Sequence, residues 1–149
     1  MSLIANNKKA TFLYFIIEKI EAGIVLNGEE VKSLRKGKAS ITEAYAEADK
    51  GELWLVNFNI SPYKDSSKFF KSEPKRIRKL LVHKKELNRL EGKIEKEGLT
   101  IIPLRLYFNK RGIVKLQIAI AKGKKIFDKR EDKKKKDWNR QKQRLLKNN

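Results

Sequence analysis

The 149-residue chain has no cysteine, one histidine, one methionine and three prolines. Without thiols it makes no disulfide and no thiolate metal site. With His83 alone it makes no histidine-rich site either, and no metal or other cofactor is expected. Acids are scarce beside bases: 18 Asp and Glu stand against 37 Lys and Arg, a formal net charge of +19. Long apolar runs are missing. The longest early one, Phe12 to Ile17, falls far short of the ~20 residues that span a bilayer. It follows Lys8 and Lys9, as the apolar part of a leader would, but it is short for one and no small-residue cleavage site follows. A cytoplasmic protein with no membrane contact is expected.

The excess positive charge is spread over the whole chain. Lys122 to Asn149 holds thirteen basic and four acidic residues, a net of +9, and residues 1–121 keep a net of +10. Such a balance points to a polyanion, RNA or DNA before a membrane surface. Within 122–149 the apolar residues are Ile126, Phe127, Trp138, Leu145 and Leu146. They bury too little to offset the entropy of ordering, so this tail is expected to be disordered until it meets a partner. Lys133 to Leu146 has good helix propensity, and a helix gathers Trp138, Leu145 and Leu146 on one side. A helix that forms on binding is inferred. Further basic clusters are Lys32, Arg35, Lys36 and Lys38, and Lys75, Arg76, Arg78 and Lys79. Either alone reads as a solvated surface. Together with the tail they imply several phosphate contacts and a steep loss of affinity with salt. Many lysines with few aromatics favour folded RNA read by shape over single strands read by stacking.

Along the chain, Met1 to Ala10 is polar and expected to fray. Residues 11–20 (TFLYFIIEKI) read as a strand buried on both faces, and the chain stays extended to Leu26 beyond an Ala22-Gly23 break. Asn27 with Glu30 reads as a capping box opening a short helix, with Val31 and Leu34 as its apolar stripe and Gly37 as its stop. Ile41 to Ala48 and Glu52 to Ile60 read as strands joined by a turn at Asp49-Lys50-Gly51, with Trp54, Val56, Phe58 and Ile60 on one face. Residues 64–79 read as a basic loop holding Phe69 and Phe70. Residues 83–97 read as a helix with Leu87, Leu90 and Ile94 on one side, ended by Gly98. Two strands follow, joined by a turn at Asn109 to Gly112. One face carries Ile102, Leu104, Leu106 and Phe108. The next strand has Val114, Leu116, Ile118 and Ile120 on one face and Lys115 and Gln117 on the other. The expectation is a mainly β body (1–121) with two to three flanking short helices, closed as an antiparallel β-barrel of OB-like form, and a basic tail (122–149). Periodicity alone does not separate an OB-like from an SH3-like barrel.

Catalysis has little support. Glu18, Glu21, Glu29, Glu30, Glu43 and Glu47 lie near strand ends, but their spacing shows none of the convergence a metal-dependent nuclease needs. Glu29 and Glu30 suit the positive end of a helix. His83 has no nucleophile near it in sequence and reads as a capping or packing residue. An enzyme is not expected.

Several stretches carry a family resemblance: EAGIVLNGEEVKSLRKGKA (21–39), WLVNFNISPY (54–63), KLLVHKKELNRL (79–90), PLRLYF (103–108) and AKGKKIFDKRE (121–131). In this order they resemble the tmRNA-binding proteins of bacterial trans-translation, also called SsrA-binding proteins or small protein B, from about Lys8 to Lys147. The resemblance implies an OB-like barrel that binds the tRNA-like domain of tmRNA near its elbow. It implies delivery to a stalled ribosome, helped by the elongation factor that brings aminoacyl-tRNA. The tail would lie in the empty mRNA channel on small-subunit rRNA, become helical and sense the decoding centre. The family is non-catalytic; the free protein is expected to be a monomer in the bacterial cytoplasm.

Carried over by position, Glu21, Leu81 and Lys115 match tmRNA-binding residues of the family; Lys32, Arg35, Lys38 and Lys122 join them as expected RNA contacts. Lys124, Lys125, Phe127, Asp128, Lys129 and Arg130 match the segment at the decoding centre. Trp138, Leu145 and Leu146 match the apolar positions of the induced helix. Two departures stand out. Thr11, Phe12 and Leu13 replace a basic residue, a histidine and an acid, leaving Lys8 and Lys9 as the nearby substitutes. Phe127 stands where Tyr or His is usual and keeps a ring without a polar handle. Two other classes compete with a rescue adaptor: a basic OB-type ribosomal protein that binds rRNA, and a nuclease.

Overall fold

The computed structural model describes residues 2–62 and 73–124. Its strands are β1 (Ser2–Asn6), β2 (Tyr14–Ile24), β3 (Ala39–Ser40), β4 (Tyr45–Asp49), β5 (Glu52–Val56), β6 (Asn59–Ile60), β7 (Arg78–Leu81), β8 (Thr100–Phe108) and β9 (Val114–Gly123). The helices are α1 (Ala10–Leu13), α2 (Gly28–Arg35) and α3 (Lys84–Glu97). The fold is therefore mainly β with few short helices. The strands run in the order β8-β4-β5-β7-β2-β9, and β9 pairs back with β8, so they close into a ring. Closure pairs strand edges that would otherwise stay open. β1 adds to β8 beyond the end of β4, and β3 and β6 form a separate pair.

Inside the ring the core comes from alternating positions: Ile20 and Ala22 of β2, Leu53 and Leu55 of β5, Leu80 of β7, and Val114, Leu116, Ile118 and Ile120 of β9. That face of β9 is the one its alternation predicts. α3 lays Leu87 and Leu90 onto this core, with Ile94 partly buried beside them. Each fully buried leucine there is worth roughly 1.5–3 kcal/mol. Gly98 ends α3 in the left-handed conformation at φ 63°, and its N–H donates to the Ile94 carbonyl at 3.0 Å, the glycine stop expected of a helix C-terminus. A bidentate pair from Arg89 to Glu18, both bonds 2.7 Å, fastens α3 to β2.

Several local expectations are corrected. The first residues do not fray as a block, because β1 pairs with Arg105 to Phe108 of β8. Residues 11–20 are not one strand buried on both faces: Ala10–Leu13 turns as α1, and Phe12, Phe15 and Ile17 remain about half exposed or more. β2 runs without a break past Ala22 and Gly23. Residues 41–44 separate β3 from β4. The return strand splits at Asn57, whose φ of 60° shifts the side-chain alternation by one. Leu53 and Leu55 point inward before it, and Phe58 and Ile60 after it, so Trp54 and Val56 take the outer face. A register shift between Pro103 and Arg105 does the same in β8. Ile101 and Leu106 enter the main core, whereas Ile102 and Leu104 join a second cluster with Ala10, Ala119 and Ala121. A bulge adds one residue and reverses the faces beyond it, which even-spaced periodicity cannot register.

Two turns match expectation. Lys50 and Gly51, at φ 51° and 75°, join β4 to β5, the positive-φ pair a two-residue hairpin needs. In the turn before β9, the Asn109 side-chain oxygen accepts from the backbone N–H groups of Arg111 and Ile113 at 2.9 and 3.0 Å.

Candidate nucleic-acid interface

The register of β7, β2, β9 and β8 builds one outer surface. Gly23 pairs with Leu81 on one side and Lys115 on the other, and Lys115 pairs with Tyr107. One step along, Glu21 pairs with Gln117, and Gln117 with Arg105. Residues directly opposite one another in antiparallel strands share a face. Leu81, Gly23, Lys115 and Tyr107 therefore form one row, and Glu21, Gln117 and Arg105 the next. The expected contacts Glu21, Leu81 and Lys115, far apart in sequence, meet here. With Gly23, Val82, His83 and Glu86 they line an open depression of about 400 Å³.

The row has a built-in close approach. A Cβ placed on Gly23 would stand 3.2 Å from the Leu81 Cβ. Glycine lets the Leu81 side chain lie over β2 while 51% of it stays exposed. A half-exposed leucine flanked by a lysine offers apolar contact beside a phosphate partner. Glu21 is the one acid in the two rows, and its Oε2 accepts a hydrogen bond from the Tyr107 hydroxyl. Burial, and then the Glu21 carboxylate, push the Tyr107 phenol up to about 12, so it stays protonated and a donor at neutral pH. Tyr107 and Arg105 were not singled out by sequence. The signal was their polar or amphipathic character at alternate positions between Leu104, Leu106 and Phe108.

The other expected contacts lie elsewhere. Lys32 and Arg35 occupy the last turn of α2, exposed, and Lys38 follows it, also exposed. They do not line the depression. α2 itself begins as expected: the Asn27 side chain accepts from the Glu30 N–H at 2.9 Å, and Glu30 Oε1 accepts from the Asn27 N–H at 3.1 Å. The same carboxylate has a second task. It bonds Arg76, and its Oε2 accepts from Arg78 Nε at 2.5 Å. Burial pushes the Glu30 carboxyl up, but the bonds from Arg76, the Asn27 backbone and Arg78 outweigh it and hold it below the ordinary range. Arg78 also donates to the carbonyls of Phe58, Arg76 and Pro74 and stacks over the Phe58 ring, 5.0 Å from its centre.

Of the second basic cluster, then, Arg78 is wholly buried, Arg76 is paired with Glu30, and Lys79 bonds Glu52 at 3.0 Å. Lys75 alone of the four remains exposed without such a bond among the described residues. Arg78 is corrected from a phosphate contact to an interior ion pair; Lys75 stays on the surface. His83 sits at the N-cap of α3 but its side chain makes no capping bond; its carbonyl accepts from Leu87 at 2.9 Å.

Lys122 pairs with Phe15, the Lys124 N–H donates to the Leu13 carbonyl at 2.9 Å, and the Lys124 ammonium lies 4.9 Å from the centre of the Phe15 ring. Both lysines are thus carried by the body. Lys125, Phe127, Asp128, Lys129, Arg130, Trp138, Leu145 and Leu146 lie outside the described residues, as do Phe69 and Phe70. Among the described residues no group of three or more His, Cys, Asp or Glu side chains is placed to hold a metal ion, and no helix is long and apolar enough to cross a membrane.

Comparison with known proteins shows the family. The family model described as SmpB protein matches residues 4–148. The SsrA-binding protein of Nitrobacter winogradskyi is 55% identical over 146 residues, covering 98% of this chain and 92% of that protein. That of Bradyrhizobium sp. (strain BTAi1) is 56% identical with the same coverage. A solved chain described under "tmRNA-SmpB: a journey to the center of the bacterial ribosome" superimposes with a TM-score of 0.67 at 50% identity, covering 81% of this chain and 84% of that one. With nearly its whole length matched, the chain belongs to the SmpB family of SsrA-binding proteins.

Proposed function

We propose that this protein binds the tRNA-like domain of tmRNA and delivers it to stalled ribosomes for trans-translation. The observation that carries the reading is the meeting of Glu21, Leu81 and Lys115 on one outer face, although they come from three strands. Lys115 supplies a phosphate contact, Leu81 an apolar one, and Glu21 accepts a hydrogen bond from a base or ribose. Lys32, Arg35, Lys38 and Lys122 add charge around the body. The relatives' name, SsrA-binding protein, and the solved relative's association with tmRNA and the ribosome support both partners.

The finer parts of the reading follow from the same resemblance. The closed ring with its helices is read as an OB-like barrel. Lys122 and Gly123 close β9, so the basic tail is read as beginning after Lys124 and as disordered when free. Lys124 at its root, with Lys125 and Phe127 to Arg130 beyond, meets the decoding centre, and Trp138, Leu145 and Leu146 form one side of a helix in the empty mRNA channel. The elongation factor that carries aminoacyl-tRNA assists delivery. The protein is a non-catalytic cytoplasmic adaptor, monomeric when free.

A competition gel shift at moderate salt tests this, setting the tRNA-like domain against tRNA and duplex RNA of equal length. Preference for the tRNA-like domain that persists as salt rises supports shape-specific recognition. Equal binding to all three, collapsing together with salt, means nonspecific charge and moves the ribosomal-protein reading ahead.

A further inference from the structure

Glu21 is out of keeping with its surroundings. It is a carboxylate on an outer face shared with Lys115 and Arg105, in a chain of net charge +19. A negative charge there repels phosphate and weakens general affinity for nucleic acid. It helps RNA binding only where a specific N–H or O–H donor of the RNA meets it, in which case it also rejects RNAs that bring a phosphate to the same point.

Such discrimination requires the carboxylate to be held still, and the fold supplies the means. Glu21 and Tyr107 are on β2 and β8, with β9 between them, a separation of about 9.6 Å at the usual strand spacing. Their side chains reach toward each other over β9, from the level of Lys115 to that of Gln117, and the Tyr107 hydroxyl donates to Glu21 Oε2. Building on the proposed function, we infer that Tyr107 is a positioning residue for RNA selection: it clamps Glu21 so that the remaining carboxylate lone pairs present a fixed acceptor to a hydrogen-bond donor of the RNA, a base N–H or a ribose 2′-hydroxyl. The phenol is suited to the task because it keeps its proton through the whole neutral range, and its stiff ring loses little entropy on being fixed. Without the clamp, the glutamate samples several rotamers, and some of the binding free energy goes into ordering it.

The test is a comparison of wild type, Tyr107→Phe, Glu21→Ala and the double variant, each with the tRNA-like domain of tmRNA and with plain duplex RNA. Phenylalanine keeps the ring and its packing. Tyr107→Phe is expected to weaken binding to the tRNA-like domain about tenfold, the equivalent of ~1.4 kcal/mol, while duplex affinity and the salt slope stay as they were. In the Glu21→Ala background Tyr107→Phe should add nothing, because there is no carboxylate left to position.

Equal losses on both RNAs, or full additivity with Glu21→Ala, would show a merely structural tyrosine and overturn the inference. Unchanged selectivity in Tyr107→Phe overturns it as well while leaving Glu21 as a contact. Failure of the wild-type protein to prefer the tRNA-like domain would instead overturn the proposed function and the inference with it. A transcript with 2′-deoxy nucleotides in its single-stranded loops separates the two donors. If the Tyr107→Phe effect vanishes there, the donor is a loop ribose; if it persists there and in a second transcript with 2′-deoxy stems, the donor is a base.

Discussion

Glu30 and Arg78, 48 residues apart in sequence, meet as a pair of fully buried charges bonded at 2.5 Å. One belongs to the capping box of α2 and the other opens β7. The pair ties the helix that carries Lys32 and Arg35 to the strand that carries Leu81.

Removing the acid strands Arg78 inside the protein. Glu30→Ala should cost about 3–5 kcal/mol, the usual penalty for a buried charge left alone, and urea unfolding measures it. Replacing Glu30 and Arg78 together by methionine should cost clearly less than the two single changes summed, because no wholly buried charge is left alone and Arg76, 35% exposed, can turn to water. Additive costs would show that the two side chains do not act as a pair. Acid should have a related effect. The folded carboxyl titrates below its ordinary value of 4.5, so its contribution is fully present above that value. It is lost as pH falls from there through the lower folded value. Stability should decline with acid below about pH 4.5, and less so in the double methionine variant.

Gly23→Ala tests the close approach under Leu81. No positive φ is involved, so the added methyl acts through the 3.2 Å contact with the Leu81 Cβ alone. The Leu81 Cβ is fixed by the β7 backbone opposite Gly23, so the two strands must part by a few tenths of an ångström, at a cost of about 1 kcal/mol. RNA binding should weaken severalfold, since the apolar contact moves off its row. A variant that folds and binds the tRNA-like domain like wild type would remove Leu81 placement from the recognition surface.

Lys115 should behave differently from Tyr107. As a phosphate contact, its loss in Lys115→Ala lowers affinity at every salt concentration and reduces the slope of log K against log salt by about 1. An unchanged slope would mean that Lys115 touches no phosphate.

Truncation after Lys124 is the cut to use for separating tail from body. Lys122 still pairs with Phe15, and Lys124 still donates to Leu13, so the β2–β9 ladder stays whole. Selective binding of the tRNA-like domain should survive, and peptide tagging on stalled ribosomes should be lost. A fall of more than about tenfold in that binding would refute the division of labour between body and tail.

The parts of the structure that were legible in the sequence are local. The Asn27–Glu30 box, the glycine stop at Gly98 and the turn at Lys50-Gly51 each depend on residues a few positions apart, whose geometry is set by the backbone and its nearest hydrogen bonds. The inward face of β9 was legible because that strand has no bulge on the stretch in question. β5 and β8 were half legible: alternation holds until Asn57 and the Pro103–Arg105 shift reverse it. The face containing Lys115 and Gln117 was visible as the polar side of β9, but its neighbours across β8 and β2 were not.

By itself the sequence determined the charge that calls for a polyanion, the mainly β composition, the places of α2 and α3 and the motifs that mark the family. Only the tertiary structure decided that Arg78 is an interior side chain rather than a phosphate contact, that β1 is a strand, and that Tyr107 reaches Glu21 from 86 residues away. The reason is physical. A capping box or a turn is stabilised by atoms already close along the chain, whereas the burial of a charge and the meeting of two outer side chains depend on which strands pair and in what register, and closing the ring fixes both at once.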